Sequence, residues 1–209
     1  MKTNIGKLLY EFIGTFFLML TVGMTVLNPN SAGAFAPLAI GSVLAVMVYA
    51  GVHVSGGHYN PAVSLALFFR KKLNVEGLIG YIVAQLLGAI AAAFAVMYLK
   101  DDFAPAALQL DPWKALLAEF LFTFALCFVV INVATGKKNA GNSFYGFAIG
   151  FTVLVGAYAV GAISGAAFNP AVALGVSILK MSLWSNLWIY LLAGVLAAGA
   201  AAVLSRDSE

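Results

Sequence analysis

The chain repeats itself along most of its length. Leu8-Leu9-Tyr10-Glu11-Phe12-Ile13-Gly14-Thr15-Phe16 returns 108 positions later as Leu116-Leu117-Ala118-Glu119-Phe120-Leu121-Phe122-Thr123-Phe124, with six of nine residues identical. At an offset of 109, Ala39-Ile40-Gly41 returns as Ala148-Ile149-Gly150 and Tyr49-Ala50 as Tyr158-Ala159. The same offset relates Ser55-Gly56-Gly57-His58-Tyr59-Asn60-Pro61-Ala62-Val63 to Ser164-Gly165-Ala166-Ala167-Phe168-Asn169-Pro170-Ala171-Val172. From glutamate to asparagine the spacing is 49 residues in one copy and 50 in the other. Whatever one copy folds into, the other must fold into as well.

The repeated unit has the composition of a membrane protein. Of 209 residues, 63% are hydrophobic and 9% charged, against about 45–50% and about 25% in soluble domains. Too little polar surface remains to clothe a water-soluble fold, which excludes a cytosolic enzyme, and the same apolar content excludes disorder. A transmembrane helix takes about 20 mostly apolar residues. Six windows qualify, at residues 8–27, 34–52, 78–99, 116–134, 144–160 and 187–204. The first has Lys2 and Lys7 before it, as a secretory signal would. Its apolar stretch is too long for a signal core, it carries Glu11, and it has a repeat partner deep in the chain, so it reads as a span.

Two shorter apolar pieces, Pro61 to Phe69 and Pro170 to Leu179, reach only about 15 Å as helices, half of a roughly 30 Å hydrocarbon core. Each opens with proline, which suits the first turn of a helix. Each also follows an irregular Ser-Gly stretch, and such backbone is tolerated at membrane depth only inside protein or along a water-filled cavity. With three full spans per copy, an odd number, the second copy enters the membrane from the opposite side. One transmembrane domain, residues 1–209, thus divides into inverted repeats at about 7–100 and 113–205. The two half-helices then meet near the midplane, amino terminus toward amino terminus. Each such end carries about half a positive charge and unpaired N–H groups, which repels cations. Asn60 and Asn169 are expected to cap them with their amides free to donate into the lumen. A single Asn-Pro-Ala would read as a turn, but two at matching repeat positions read as a pore.

Charge sets the orientation. With the amino terminus in the cytoplasm, Lys2, Lys7, Arg70, Lys71, Lys72, Lys137, Lys138 and Arg206 lie inside, against Lys100, Lys114 and Lys180 outside, as the positive-inside rule asks. Both termini are then cytoplasmic. Trp113, Trp184 and Trp188 fall near outer span ends. The net charge of +3 arises without a basic run longer than Arg70-Lys71-Lys72, so nucleic acid is no partner. One cysteine and two histidines support neither a disulfide framework nor a metal cage, and no cofactor is expected.

At these residues the sequence resembles the aquaporin, or major intrinsic protein, family of water and small-solute channels, and the resemblance runs from Glu11 to the last span. It implies an all-α hourglass of six transmembrane helices and two re-entrant half-helices, with a homotetramer in the cell membrane carrying one pore per subunit. The boxes Asn60-Pro61-Ala62 and Asn169-Pro170-Ala171 would form the central constriction. The stretches before them, Gly56, Gly57, His58 and Gly165, Ala166, Ala167, would line the lumen with carbonyl oxygens, braced by Glu11 and Glu119. A carboxylate within a span costs a few kcal/mol and calls for a partner, and a proton-coupled transporter would use the pair as carriers instead.

The family's filter near the outer mouth falls here at Ile40, Ala157, Ala166 and Val172. Members usually carry arginine after the second Asn-Pro-Ala, and this chain has valine. Water-selective members pair an aromatic with a histidine, glycerol facilitators a tryptophan with glycine and phenylalanine, and this set matches neither. Four aliphatic side chains imply a wider, less polar constriction without a fixed cation, with water, glycerol, urea, ammonia and hydrogen peroxide as neutral cargoes. His53 and His58 are expected at the cytoplasmic mouth. Cys127 reads as a small buried hydrophobe, and mercurial-sensitive relatives carry their cysteine at the position of Ala166. The leading function is passive diffusion with no covalent chemistry. Secondary transport by alternating access and a structural tetramer with a closed pore are the alternatives.

Overall fold

The computed structural model describes residues 4–100 and 105–205, so Lys2 and Arg206 lie outside the described residues. Among the described residues eight α-helices follow one another: α1 Ile5–Val26, α2 Ala36–Gly51, α3 Pro61–Phe69, α4 Val75–Leu99, α5 Pro112–Val130, α6 Tyr145–Ser164, α7 Pro170–Ile178 and α8 Leu187–Leu204. A π-helical turn, Ile131–Thr135, extends α5. Six of these are long and apolar enough to cross a membrane, while α3 and α7 have nine residues each and reach about half of the hydrocarbon thickness.

Three helices begin before their apolar windows because their first turns are held by polar caps. Asn4 Oδ1 accepts from Lys7 N at 3.0 Å, Asn74 Oδ1 from Gly77 N at 2.9 Å, and Asp111 Oδ1 from Trp113 N at 3.1 Å. These side chains satisfy N–H groups that the helix leaves without a partner. At its far end α6 continues to Ser164 and stops at Gly165, whose φ of 86° ends the helix in the left-handed region. Ser164 is therefore delivered by a helix end and not by a loose loop.

Close backbone approach holds the bundle together. A β-carbon at Gly88 of α4 would stand 2.5 Å from Phe12 O of α1, and one at Gly150 of α6 would stand 2.3 Å from Gly41 O of α2. The small-residue row Ala84, Gly88, Ala92 is buried, so it packs helices within one chain, as small residues do in membrane bundles. α5 and α8 pair as α1 and α4 do, one repeat echoing the other. The outer surface carries exposed Ile79, Val83, Leu87 and Phe94 of α4 and Phe147, Phe151 and Val155 of α6, an apolar coat that suits hydrocarbon.

Candidate functional site

The two short helices meet end to end at the middle of the bundle, and the contact is made by their caps. Asn60 Oδ1 accepts from Ala62 N at 2.8 Å, and Asn169 Oδ1 accepts from Ala171 N at 2.9 Å. Both asparagines are in extended backbone, with φ of −155° and −157°, and proline follows each at the first helical position. The amides are only partly free. Asn60 Nδ2 donates to Phe168 O at 2.8 Å and Asn169 Nδ2 to Tyr59 O at 2.9 Å. Each amide thus spends one hydrogen on the opposite repeat and keeps one for the lumen. The exchange depends on Tyr59 and Phe168, whose positive φ values of 50° and 47° turn their carbonyls toward the opposite asparagine.

Two buried carboxylates hold the loops that make this turn. Glu11 Oε1 accepts from Ser55 Oγ at 2.7 Å and His58 N at 3.0 Å, and its Oε2 from Tyr59 N at 2.7 Å and Gln85 Nε2 at 2.8 Å. Glu119 accepts from Ser164 Oγ at 2.6 Å, Ala167 N at 3.0 Å and Phe168 N at 2.7 Å. Tyrosines finish the bracing, since Tyr81 Oη donates to Ser55 O at 2.6 Å and Tyr190 Oη to Ser164 O at 2.8 Å. With both carboxylates at most 1% exposed, the donors compensate what burial of charge costs.

Beside the asparagines lies a cavity of about 450 Å³. Its wall includes Asn60, Asn169, Ile40, Ala157, Ala166 and Val172, with His58, Gly165 and Ala167. Gly56 and Gly57 do not border it; Gly57 packs near Val48 and Tyr59 instead. His53 does not border it either and meets Tyr10 edge-on, ring centroids 6.2 Å apart.

Most of the remaining wall is apolar, and the repeat relates it pairwise: Leu18 with Leu126, Val22 with Val130, Leu44 with Val153, Val63 with Val172. The repeat offsets were a signal sufficient to find these residues. Ala106 and Leu108 were not foreseeable in that way. They reach the cavity from an interhelical segment that Leu108 N ties to Met181 O at 3.2 Å. Among the described residues no charged side chain lines the cavity, and no three His, Cys, Asp or Glu side chains gather for a metal. The arrangement offers a passage with a few donors and two positive helix ends, which favours neutral solutes over cations.

Cys127 is fully buried in α5 and does not line the cavity. Flux through vesicles is expected to survive mercuric chloride, while Ala166→Cys, at a partly exposed lining position, is expected to make it sensitive. Wild-type inhibition that disappears in Cys127→Ala would contradict the burial of that thiol.

The family model for Major intrinsic protein matches residues 1–205. Nodulin-26 of Glycine max is 38% identical over 205 residues, covering 94% of this chain and 75% of the relative. Glycerol uptake facilitator protein-like 6 of Lactiplantibacillus plantarum is 33% identical over 209 residues and 96% of both chains. Among solved structures, the aquaglyceroporin from Plasmodium falciparum superposes with a TM-score of 0.80 over 96% of this chain at 21% identity, a likeness of fold.

Proposed function

The chain belongs to the major intrinsic protein family of passive channels for water and small neutral solutes, and from that premise we propose that its cargo passes between Asn60 and Asn169 and then a wide aliphatic filter. The observation that carries this reading is the pair of asparagine-capped half-helices cross-bonded beside a cavity that, among the described residues, no charged side chain lines. Two helix ends, each worth about half a positive charge, raise the energy of any cation there. The amide hydrogen left on each asparagine replaces part of a neutral solute's hydration. Ile40, Ala157, Ala166 and Val172 form the filter, and with no arginine among them it admits glycerol and urea as well as water. Glycerol as cargo is supported by the name of the bacterial relative.

The protein sits in the cell membrane as a homotetramer with both termini in the cytoplasm. Lys7, Arg70, Lys71, Lys72, Lys137 and Lys138 on the terminal side, against Lys100, Lys114 and Lys180, support that orientation. Intact mass in mild detergent checks the tetramer, a single-chain mass counting against it. Vesicles carrying the protein and an internal pH dye test the pore reading. Neutral solute should cross while the dye stays silent under a proton gradient, and proton flux at the pace of solute flux would contradict the reading.

A further inference from the structure

The two repeats differ in what stands behind their loops. In the first, a buried polar string joins the Glu11 carboxylate to the cavity. Gln85 Nε2 donates to Glu11 Oε2 at 2.8 Å and to Ser64 Oγ at 3.0 Å, and Ser64 Oγ lies 3.0 Å from His58 Nδ1. At the offset of 109 the second repeat has Gly194, Ala173 and Ala167 in these places, and its half-helix is capped and braced all the same. The string is therefore not needed to build the loop.

Hydrogen inventory gives the string a direction. Glu11 already accepts from Ser55 Oγ, His58 N and Tyr59 N, and a carboxylate only accepts, so Gln85 must turn its NH₂ toward it. The second hydrogen of that NH₂ goes to Ser64 Oγ. Ser64 is fully buried and its own hydroxyl hydrogen needs an acceptor. Of its two side-chain neighbours, Gln85 Nε2 is a donor, which leaves His58 Nδ1. An imidazole that accepts at Nδ1 is neutral and carries its proton on Nε2. That nitrogen lies on the side of Gly56, where an added β-carbon would stand 3.1 Å from it, and His58 borders the cavity.

We infer that Gln85 and Ser64 are positioning residues that hold His58, a side chain that borders the cavity, neutral with its proton on Nε2, so that the first repeat carries a ring N–H donor where the second has only the methyl group of Ala167. The donor suits solutes led by an acceptor oxygen, a hydroxyl or a carbonyl. Its use by a solute rests on the channel reading; the position of the proton does not.

The test reads the proton directly. The chain has two histidines, so His53→Asn leaves His58 as the sole signal in a sample labelled with isotopic histidine and reconstituted in lipid vesicles. Nitrogen NMR is expected to show one neutral species with hydrogen on Nε2 and a bare Nδ1. Hydrogen on Nδ1, or an even mixture, overturns the inference. Ser64→Ala, which gives the first repeat the residue the second already has at 173, is expected to release the lock and populate both tautomers. A Ser64→Ala spectrum unchanged from the parent also overturns it. Vesicles that pass no solute, yet show the Nε2 proton, would contradict the channel reading and leave this assignment standing.

Discussion

Glu11→Ala is expected to cost the protein its fold before it changes what passes. Four donors converge on that carboxylate, two from side chains and two from the backbone of His58 and Tyr59. Ser55 and Gln85 can swing to other partners, but the two backbone N–H groups cannot leave the loop. Each buried donor left unpaired costs about 1–3 kcal/mol, so the two together cost about 2–6 kcal/mol, comparable with the whole stability of many domains. The loop they hold also supplies Tyr59 O to Asn169, so the loss spreads into the other repeat. Thermal unfolding in detergent should show a lower midpoint and a poor yield of folded protein, with Glu11→Gln milder because one oxygen still accepts. A Glu11→Ala protein that folds normally and differs only in selectivity would show that the carboxylate does not brace the loop.

Val172→Arg is expected to close the pore to the larger solutes. Val172 stands in the first turn of α7, 4% exposed, and shares the cavity wall with Ile40, Ala157 and Ala166. An arginine there brings a long side chain with five donors and a permanent charge into a cavity whose described lining has polar groups but no charged side chain. In reconstituted vesicles, glycerol and urea flux should fall by roughly tenfold or more, which needs only about 1.4 kcal/mol of added barrier, while water flux falls less. Equal losses for all three solutes, or none, would show that Val172 does not stand at the narrow point. If the wild type passes water yet excludes both glycerol and urea, the wide filter itself is refuted, with Ala106 and Leu108, which border the same cavity, as candidates to fill it.

Much of this was legible because the repeat made each residue testable against its partner. The half-helix spans emerged to within one residue, since Asn-Pro starts them and their apolar runs end at polar turns. Helix starts were less legible: the apolar windows begin only after the polar first turns that Asn4, Asn74 and Asp111 cap. The cross-bonds from Asn60 and Asn169 could not be read from spacing. They need left-handed backbone at Tyr59 and Phe168, where neither residue type prefers to sit. Gln85 also escaped notice, although a lone amide in an apolar span is itself a signal that some buried group needs a partner. Ala106 and Leu108 have no counterpart in the repeat, and only tertiary contact with Met181 places them at the cavity.

Stopped-flow light scattering on vesicles under outward and inward glycerol gradients separates passive diffusion from transport and from a closed pore. A passive channel gives flux well above protein-free vesicles that rises in proportion to the gradient, without saturation, and that is indifferent to any sodium or proton gradient. Flux that saturates and follows an ion gradient, or flux no greater than bare lipid for glycerol, urea and water alike, would contradict passive diffusion.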